Sequence, residues 1–256
     1  MYKHNKMEIL RNVGKWGNSA GVLLPKEWIG KEVTVILIDR TNEIKKEVFD
    51  ILSPYLEDII GIYLVGSYAR NEPKKNSDID IMIISQKTKK EIFSGKYSIS
   101  ISPLESIKKT LEKNPLMVYP RLIEAKTILN KSLLEELSSK KPKKKDFYGF
   151  IQDTKRIIKI NKEALNQKSK FVQKEVIYSL ILRLRGIFII NCILKNKKYT
   201  NHDFEKMLEK NNIDCKNVYE VYSAVKSNKK TKIKINVSEA EKLLELLQLK
   251  IKNQNE

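Results

Sequence analysis

Histidine and cysteine are nearly missing from this chain, with two of each in 256 residues. Cys192 falls within an apolar helical pattern and Cys215 in a polar loop. No metal-ligand spacing ties either one to His4 or His202, so a zinc site built from these residues is excluded. Both thiols are expected to be structural, as cysteines held in folded protein usually are. No unbroken apolar run approaches the roughly 18 residues that a membrane helix needs. The most apolar stretch, 176–194, is interrupted by Arg183 and Arg185 and reads as a buried helix. Lys3, His4 and Lys6 have no apolar segment behind them, so no secretion signal is read and a cytoplasmic location is expected. Acidic side chains are also in short supply. There are 31 against 50 Lys and Arg, which leaves a formal net charge of +19.

That excess favours anionic partners, such as nucleotides or nucleic acid, because Lys and Arg release phosphate-bound counterions on contact. A second origin is compositional, since Ile, Lys and Asn are dense throughout and the lysines are spread over every segment. Charge alone identifies no partner. The 41% hydrophobic content excludes a disordered chain, and the length suffices for two compact domains, or three if one is very small.

Three regions separate along the sequence. Residues 7–38 read as short strands with turns: a strand at 7–13, the turn Gly14-Lys15-Trp16-Gly17-Asn18, a strand at 21–24, Pro25, and a strand at 32–38. A helix over 42–57 carries Ile44, Val48, Ile51, Leu52 and Leu56 on one face. Strands are expected at 59–65, 79–84, 96–102 and, shortly, 127–129. Helices are expected at 104–113, ending at Asn114-Pro115, and at 116–124. The run Ser138-Ser-Lys-Lys-Pro-Lys-Lys-Lys145 reads as a solvated linker. Beyond it come helices at 146–166, 170–195, 202–211, 215–227 and 238–252, the last opened by Ser238 and Glu241 in a capping-box spacing. The expected class is α+β: a small mixed sheet with flanking helices (42–137), an N-terminal β-hairpin module (1–41), a basic linker (138–145) and a C-terminal all-α bundle (146–256).

The chemistry concentrates in Gly61-Ile-Tyr-Leu-Val-Gly66-Ser67-Tyr-Ala-Arg70, a polar loop, and Ser77-Asp78-Ile79-Asp80-Ile-Met-Ile-Ile84. Residues i and i+2 of a strand share a face, so Asp78 and Asp80 present two carboxylates side by side while Ile79 and Ile81 face the core. Adjacent carboxylates repel, and burial raises their pKa unless a cation lies between them. Mg²⁺ (or Mn²⁺) resolves that conflict, because it takes oxygen ligands from carboxylates together with substrate phosphates. Gly66 lets backbone approach a phosphate, Ser67 adds a hydroxyl, and Arg70 can reach the same triphosphate. Taken singly, an Asp-x-Asp or a Gly-Ser is usually only solvated surface. Their combination suits phosphoryl or nucleotidyl transfer, in which catalysis is mostly positioning and charge neutralisation.

Gly-Ser-x-Ala-Arg, a short loop and Ser-Asp-Ile-Asp-Ile together resemble the signature of the DNA polymerase beta-type nucleotidyltransferase superfamily, especially its minimal prokaryotic members, over about 42–129. The resemblance implies that Gly66 and Ser67 contact the phosphates of a nucleoside triphosphate such as ATP, and that Asp78 and Asp80 bind the metal and carry catalysis. It also implies a third carboxylate near the start of the strand at 96–102. This chain has Ser98 there, with Ser100 beside it, and serine is neither an anionic ligand nor a general base at neutral pH. Glu91 and Glu105 are the nearest acids.

Residues 13–35 resemble SpoVT/AbrB-like swapped-hairpin modules, which implies an intertwined homodimer and DNA contacts from Lys15, Trp16 and Lys26. A unit of about 30 residues cannot bury a core of its own, so dimerisation or packing on another domain is expected. The C-terminal helices resemble the bundles of minimal nucleotidyltransferases, some of them of the HEPN class. The HEPN ribonuclease pattern of Arg followed by His is absent from 183–191, so no RNase activity is expected. Arg183 and Arg185 either hold an acceptor or phosphate or pair structurally with acids. The expectation is a Mg²⁺-dependent transfer of a nucleoside monophosphate to an acceptor hydroxyl on protein, RNA or a small molecule. The alternative is a DNA-binding regulator or antitoxin-like protein with a degenerate transferase site.

Overall fold

The computed structural model describes residues 9, 11, 13–35, 41–73, 77–166 and 169–252. By its internal contacts the chain divides into a unit of residues 1–46 and a unit of residues 47–256.

In the first unit, β1 (Gly14–Trp16) and β2 (Ser19–Gly21) form an antiparallel hairpin, with Trp16 opposite Ser19. Gly17 takes a positive φ of 57° at the turn, a conformation glycine adopts without steric cost. A 3₁₀ turn, Lys26–Trp28, follows Pro25. The hairpin is shorter than expected and shifted, because Gly14–Trp16 is strand rather than turn. Residues 22–25 and 31–35 carry no strand, and most of the strand expected at 7–13, like residues 36–38, lies outside the described residues. None of the described hydrophobic side chains at 13–35 is buried: Trp16, Leu23, Ile29 and Val35 are all exposed.

In the second unit a five-stranded mixed sheet has the order β5-β6-β4-β3-β7. Its strands are β3 (Ile59–Val65), β4 (Ile79–Ser85), β5 (Lys90–Ser94), β6 (Tyr97–Pro103) and β7 (Lys126–Leu129). β4 runs parallel to β6 and antiparallel to β3. Edge strand β5 is not expected from its sequence: Lys90-Glu-Ile-Phe-Ser opens with two exposed charged residues and lacks a hydrophobic alternation. The helix α1 (Thr41–Leu52) stops earlier than expected, and Ser53–Asp58 winds as 3₁₀. Pro54 lacks the N–H and crowds the preceding turn, which ends the α ladder. The Tyr97 hydroxyl donates to Glu47 at 2.7 Å and ties the middle of α1 to β6.

Alternation fixes the two sheet faces. Ile79, Ile81 and Ile83 point one way; Asp80, Met82 and Ile84 point the other. The second face is covered by α3 (Leu104–Lys113), α4 (Tyr119–Glu124) and α5 (Lys131–Ser139), whose Ile107, Leu122, Leu133, Leu134 and Leu137 pack with Tyr63, Val65, Met82 and Ile84. Asp80 therefore lies where this apolar layer opens at the strand's start. α5 occupies residues ahead of the expected linker, is N-capped by the Asn130 side chain, and runs to Ser139; 3₁₀ winding resumes at Lys144.

The C-terminal helices are α6 (Tyr148–Leu165), α7 (Lys174–Leu194), α8 (Asn201–Glu209), α9 (Cys215–Lys226) and α10 (Val237–Lys252). α10 begins ahead of Ser238, which therefore stands in its first turn rather than at its cap. α7 is long and apolar enough to cross a membrane by length and composition, but its Ile177, Leu180, Leu184, Ile187 and Ile190 are buried among residues of α6, α9 and α10. The described residues thus form an α+β structure with a hairpin before the sheet and helices after it.

Candidate functional site

β3 ends at Val65 in extended conformation, and the chain reverses at Gly66, where φ is 71°. A Cβ at Gly66 would overlap the Asp80 carboxylate, so the glycine is required twice, by backbone conformation and by the side chain across the ladder. Register explains the approach, because Val65 is the cross-strand partner of Asp80. The Gly-Ser turn and the Asp-x-Asp strand start are thereby in direct van der Waals contact.

The helix α2 (Gly66–Ala69) is one turn long, and Arg70 is its C-cap. The Arg70 guanidinium donates to Glu124 at 2.6 Å and to Glu72 at 3.2 Å. The other Glu124 oxygen accepts the Gly66 N–H at 2.7 Å. Sequence reasoning missed Glu124. It bonds both a backbone donor and a cation that the Gly-Ser-x-Ala-Arg pattern would direct at phosphate, and nothing in its local sequence marks it. Asp78 is exposed and Asp80 half-buried. Burial holds the Asp80 carboxyl above the ordinary carboxylate range, with the Asp78 charge adding to that shift. The opposing charges of Arg121, Lys226 and Arg70 moderate it.

Arg121 and Lys226 are thus two further cations around Asp80 that the motif did not reveal. Arg121 lies one turn before Glu124 on α4 and donates to the Ser100 hydroxyl at 3.3 Å. Ser98 is the register partner of Asp80 on the parallel strand β6, and Ser100 that of Met82. Ser98 and Ser100 therefore share the face of the aspartates. Phe93 pairs with Ser98 and is 78% exposed, which puts an aromatic ring in the same row. Glu91 pairs with Ser100 on the edge strand, one step farther along, while Glu105 lies in the first turn of α3.

The helical region meets this site through Tyr199. Its ring centroid lies 5.5 Å from the Arg70 guanidinium carbon and 5.3 Å from that of Arg185. Arg185 Nε donates to the Tyr199 hydroxyl at 2.8 Å, and the Asn201 N–H donates to Glu72 at 3.2 Å. Burial opposes the charge of Arg185, but the Tyr199 and Tyr222 hydroxyls raise its pKa above the usual arginine value. Arg183 points elsewhere: it pairs with Asp153 at 2.7 Å and lies over the Phe150 ring. Lys15, Trp16 and Lys26 are exposed in the N-terminal unit.

The strand–turn–strand geometry agrees with a family match over residues 42–183, described as nucleotidyltransferase domain. This chain belongs to the nucleotidyltransferase domain family. The matched segment of the nucleotidyltransferase covers the sheet, α2 and the first part of α7, including Gly66, Ser67, Asp78 and Asp80. Residues 3–41 match a second family, DUF2080, whose members are described as proposed transposon-encoded proteins. No curated protein matches the chain. Crystal structures similar to it include two nucleotidyltransferase-related ones. One is a nucleotidyltransferase-like protein from Exiguobacterium sibiricum (13% identity, 82% of this chain and 75% of that one, TM-score 0.38). The other is spectinomycin adenyltransferase AAD(9) from Enterococcus faecialis with ATP and spectinomycin (15% identity, 84% and 100%, TM-score 0.42).

Among the described residues no group of three His, Cys, Asp or Glu side chains forms a ready-made metal cage. Two carboxylates two residues apart, one with its charge opposed by burial, are a hard-oxygen donor pair that a divalent cation would relieve. They fit Mg²⁺ that completes its shell with substrate phosphate oxygens and water.

Proposed function

We propose that the chain binds a nucleoside triphosphate and Mg²⁺ at Gly66, Ser67, Asp78 and Asp80, and transfers the nucleoside monophosphate to an acceptor hydroxyl. The observation that carries this reading is the contact between Gly66 and the Asp80 carboxylate, which joins the phosphate-binding turn to the metal-binding pair. Asp78 and Asp80 would hold the metal, which would neutralise phosphate charge. The Gly66–Ser67 turn seats the phosphates, and Arg70, Arg121 and Lys226 add positive charge around them. In the transfer, the acceptor oxygen forms a bond to the α-phosphorus. The bond from that phosphorus to the bridging oxygen breaks, pyrophosphate leaves, and the hydroxyl proton passes to solvent. Ser98 stands beside Asp80 where a proton-accepting carboxylate would serve, so transfer is slow relative to nucleotide binding.

Incubation with labelled nucleoside triphosphates, Mg²⁺ and a cell extract tests the reading. A labelled product formed by the wild type and lost in Asp78→Asn and Asp80→Asn is expected. No product, together with nucleotide binding indifferent to both substitutions, would refute it.

The exposed apolar side chains of the N-terminal unit favour a second, compatible role. This unit serves as a SpoVT/AbrB-like homodimerisation module with Lys15, Trp16 and Lys26 against DNA. Loss of DNA retention at moderate salt in Lys15→Ala plus Lys26→Ala is expected, and unchanged retention would count against it.

A further inference from the structure

From the end of α9 onward runs a stretch of positive charge that contains no acid. From 226 to 234 the sequence is Lys-Ser-Asn-Lys-Lys-Thr-Lys-Ile-Lys, with five lysines and no acid. Lys226, Lys229, Lys230, Lys232 and Lys234 are all exposed. Among the described residues none of the five is in an ion pair.

Both ends of this run are fixed. Lys226 lies one helical turn beyond Tyr222, whose hydroxyl helps hold the charge of Arg185; Arg185 bonds Tyr199, whose ring lies against Arg70 of the Gly-Ser-x-Ala-Arg turn. The aromatic contacts Tyr199–Phe188, Phe188–Phe204, Phe204–Tyr219 and Tyr219–Tyr222 hold α9 in that position. At the other end the Val172 N–H donates to the Ile235 carbonyl at 3.0 Å, and Phe171 bridges Asn236. There the ammonium groups of Lys234 and Lys170 lie 5.4 and 5.8 Å from the centroid of the Phe171 ring, which is 39% exposed.

Exposed lysines outside any ion pair, ending at a half-open aromatic ring flanked by cations, match a ligand with regularly spaced phosphates and stackable bases. An acidic protein would satisfy the charge but not the ring. We propose that residues 226–234 and Phe171 form the binding track of a single-stranded nucleic-acid acceptor, and deliver its terminal hydroxyl to the Asp78–Asp80 site. The delivery step rests on the transfer reading above, and its bond changes are the same: the terminal oxygen bonds the α-phosphorus as pyrophosphate departs. The track itself stands on the surface alone. Nine residues span at most ~30 Å, enough for several nucleotides.

The test is fluorescence anisotropy of a labelled single-stranded oligonucleotide of about 12 nucleotides, as RNA and as DNA, on the full chain over a range of salt. One variant combines Lys229→Ala, Lys230→Ala, Lys232→Ala and Lys234→Ala. A control removes the same charge elsewhere, with Lys89→Ala, Lys109→Ala, Lys113→Ala and Lys140→Ala. The track variant is expected to lose at least about tenfold in affinity, and its salt slope to fall by ~0.7 for each phosphate contact removed. The control is expected to stay close to wild type. Phe171→Ala weakens binding without changing the slope. Equal losses in track and control variants, or none in either, would overturn the track. Tighter binding of RNA than DNA identifies RNA as the acceptor, and the reverse identifies DNA. Nucleoside triphosphate binding is measured on the same samples. Its absence in the wild type, with oligonucleotide binding still dependent on the track, would remove the transfer reading and leave the binding surface standing.

Discussion

At Gly66 two demands meet in one residue: a φ of 71° and space for the Asp80 carboxylate. Gly66→Ala therefore combines a backbone cost of about 1–3 kcal/mol with displacement of Asp80. Urea unfolding should register the first, and nucleotide binding should weaken much more than stability does. Equal nucleotide affinity in Gly66→Ala would show that the turn and the carboxylate act independently. Ser98 allows the converse experiment. Ser98→Asp places a carboxylate beside Asp80 in the parallel register, and a positioned general base contributes about 10²–10⁴ in rate. Turnover of labelled nucleotide should rise toward that range while nucleotide affinity changes little. An unchanged or lower rate would mean that proton removal does not limit the step. The candidate residues Gly66, Ser67, Asp78 and Asp80 were all legible in the sequence, because the motif is local. Glu124, Arg121 and Lys226 were not, because they reach the same place from α4 and α9 through tertiary packing that no short spacing encodes.

The elements that were easy to read are those with a strong apolar signal, either a short continuous run or a helical period. β3, β4 and α3 lie within a residue of expectation, since β3 and β4 are near-continuous apolar runs buried on both faces and α3 carries its apolar residues at helical spacing. β5 was invisible because an edge strand with one neighbour needs only backbone pairing, and its side chains are largely solvated. The turn joining β4 to β5 depends on Asp58, whose carboxylate accepts the Thr88 N–H at 2.7 Å and the Lys87 N–H at 3.1 Å. Its bonds with Thr88, side chain first and then backbone, hold the Asp58 pKa below the ordinary value of 3.8. A lowered folded-state pKa means that this stabilisation is present above 3.8 and is lost as pH falls through the lower folded value. Thermal melts should show Asp58→Ala less stable than wild type at neutral pH, with the difference closing at acidic pH. A constant difference would contradict the assignment. Between α6 and α7, any Cβ at Gly186 would overlap the Phe150 ring. Gly186→Val should destabilise by about 1–3 kcal/mol in denaturant titration, against the small gain a helix makes on losing glycine.

At the scale of the whole molecule, every candidate nucleotide-site residue lies in the unit of residues 47–256, and the exposed apolar hairpin lies in the other. Deleting residues 1–40 should leave nucleotide affinity and the main unfolding transition intact while abolishing self-association measured by sedimentation. Loss of nucleotide binding on deletion would show that the first unit contributes to the site. The net charge of +19 identified no partner by itself, because fifty cations spread over the sequence carry no address. Folding concentrates part of this excess by setting the charges of Arg121, Lys226 and Arg70 against the Asp80 carboxylate. The central claim is that the Asp78–Asp80 pair, with the Gly66 turn, holds a nucleotide through a divalent metal. It is tested most directly by titrating ATP into wild type, Asp78→Asn and Asp80→Asn, each in Mg²⁺ and again after metal removal with EDTA. The account predicts that wild type binds at least about tenfold more tightly in Mg²⁺ than in EDTA, a difference of about 1.4 kcal/mol, and that both variants lose this gain. ATP binding that is the same in all three proteins, with and without Mg²⁺, would contradict it.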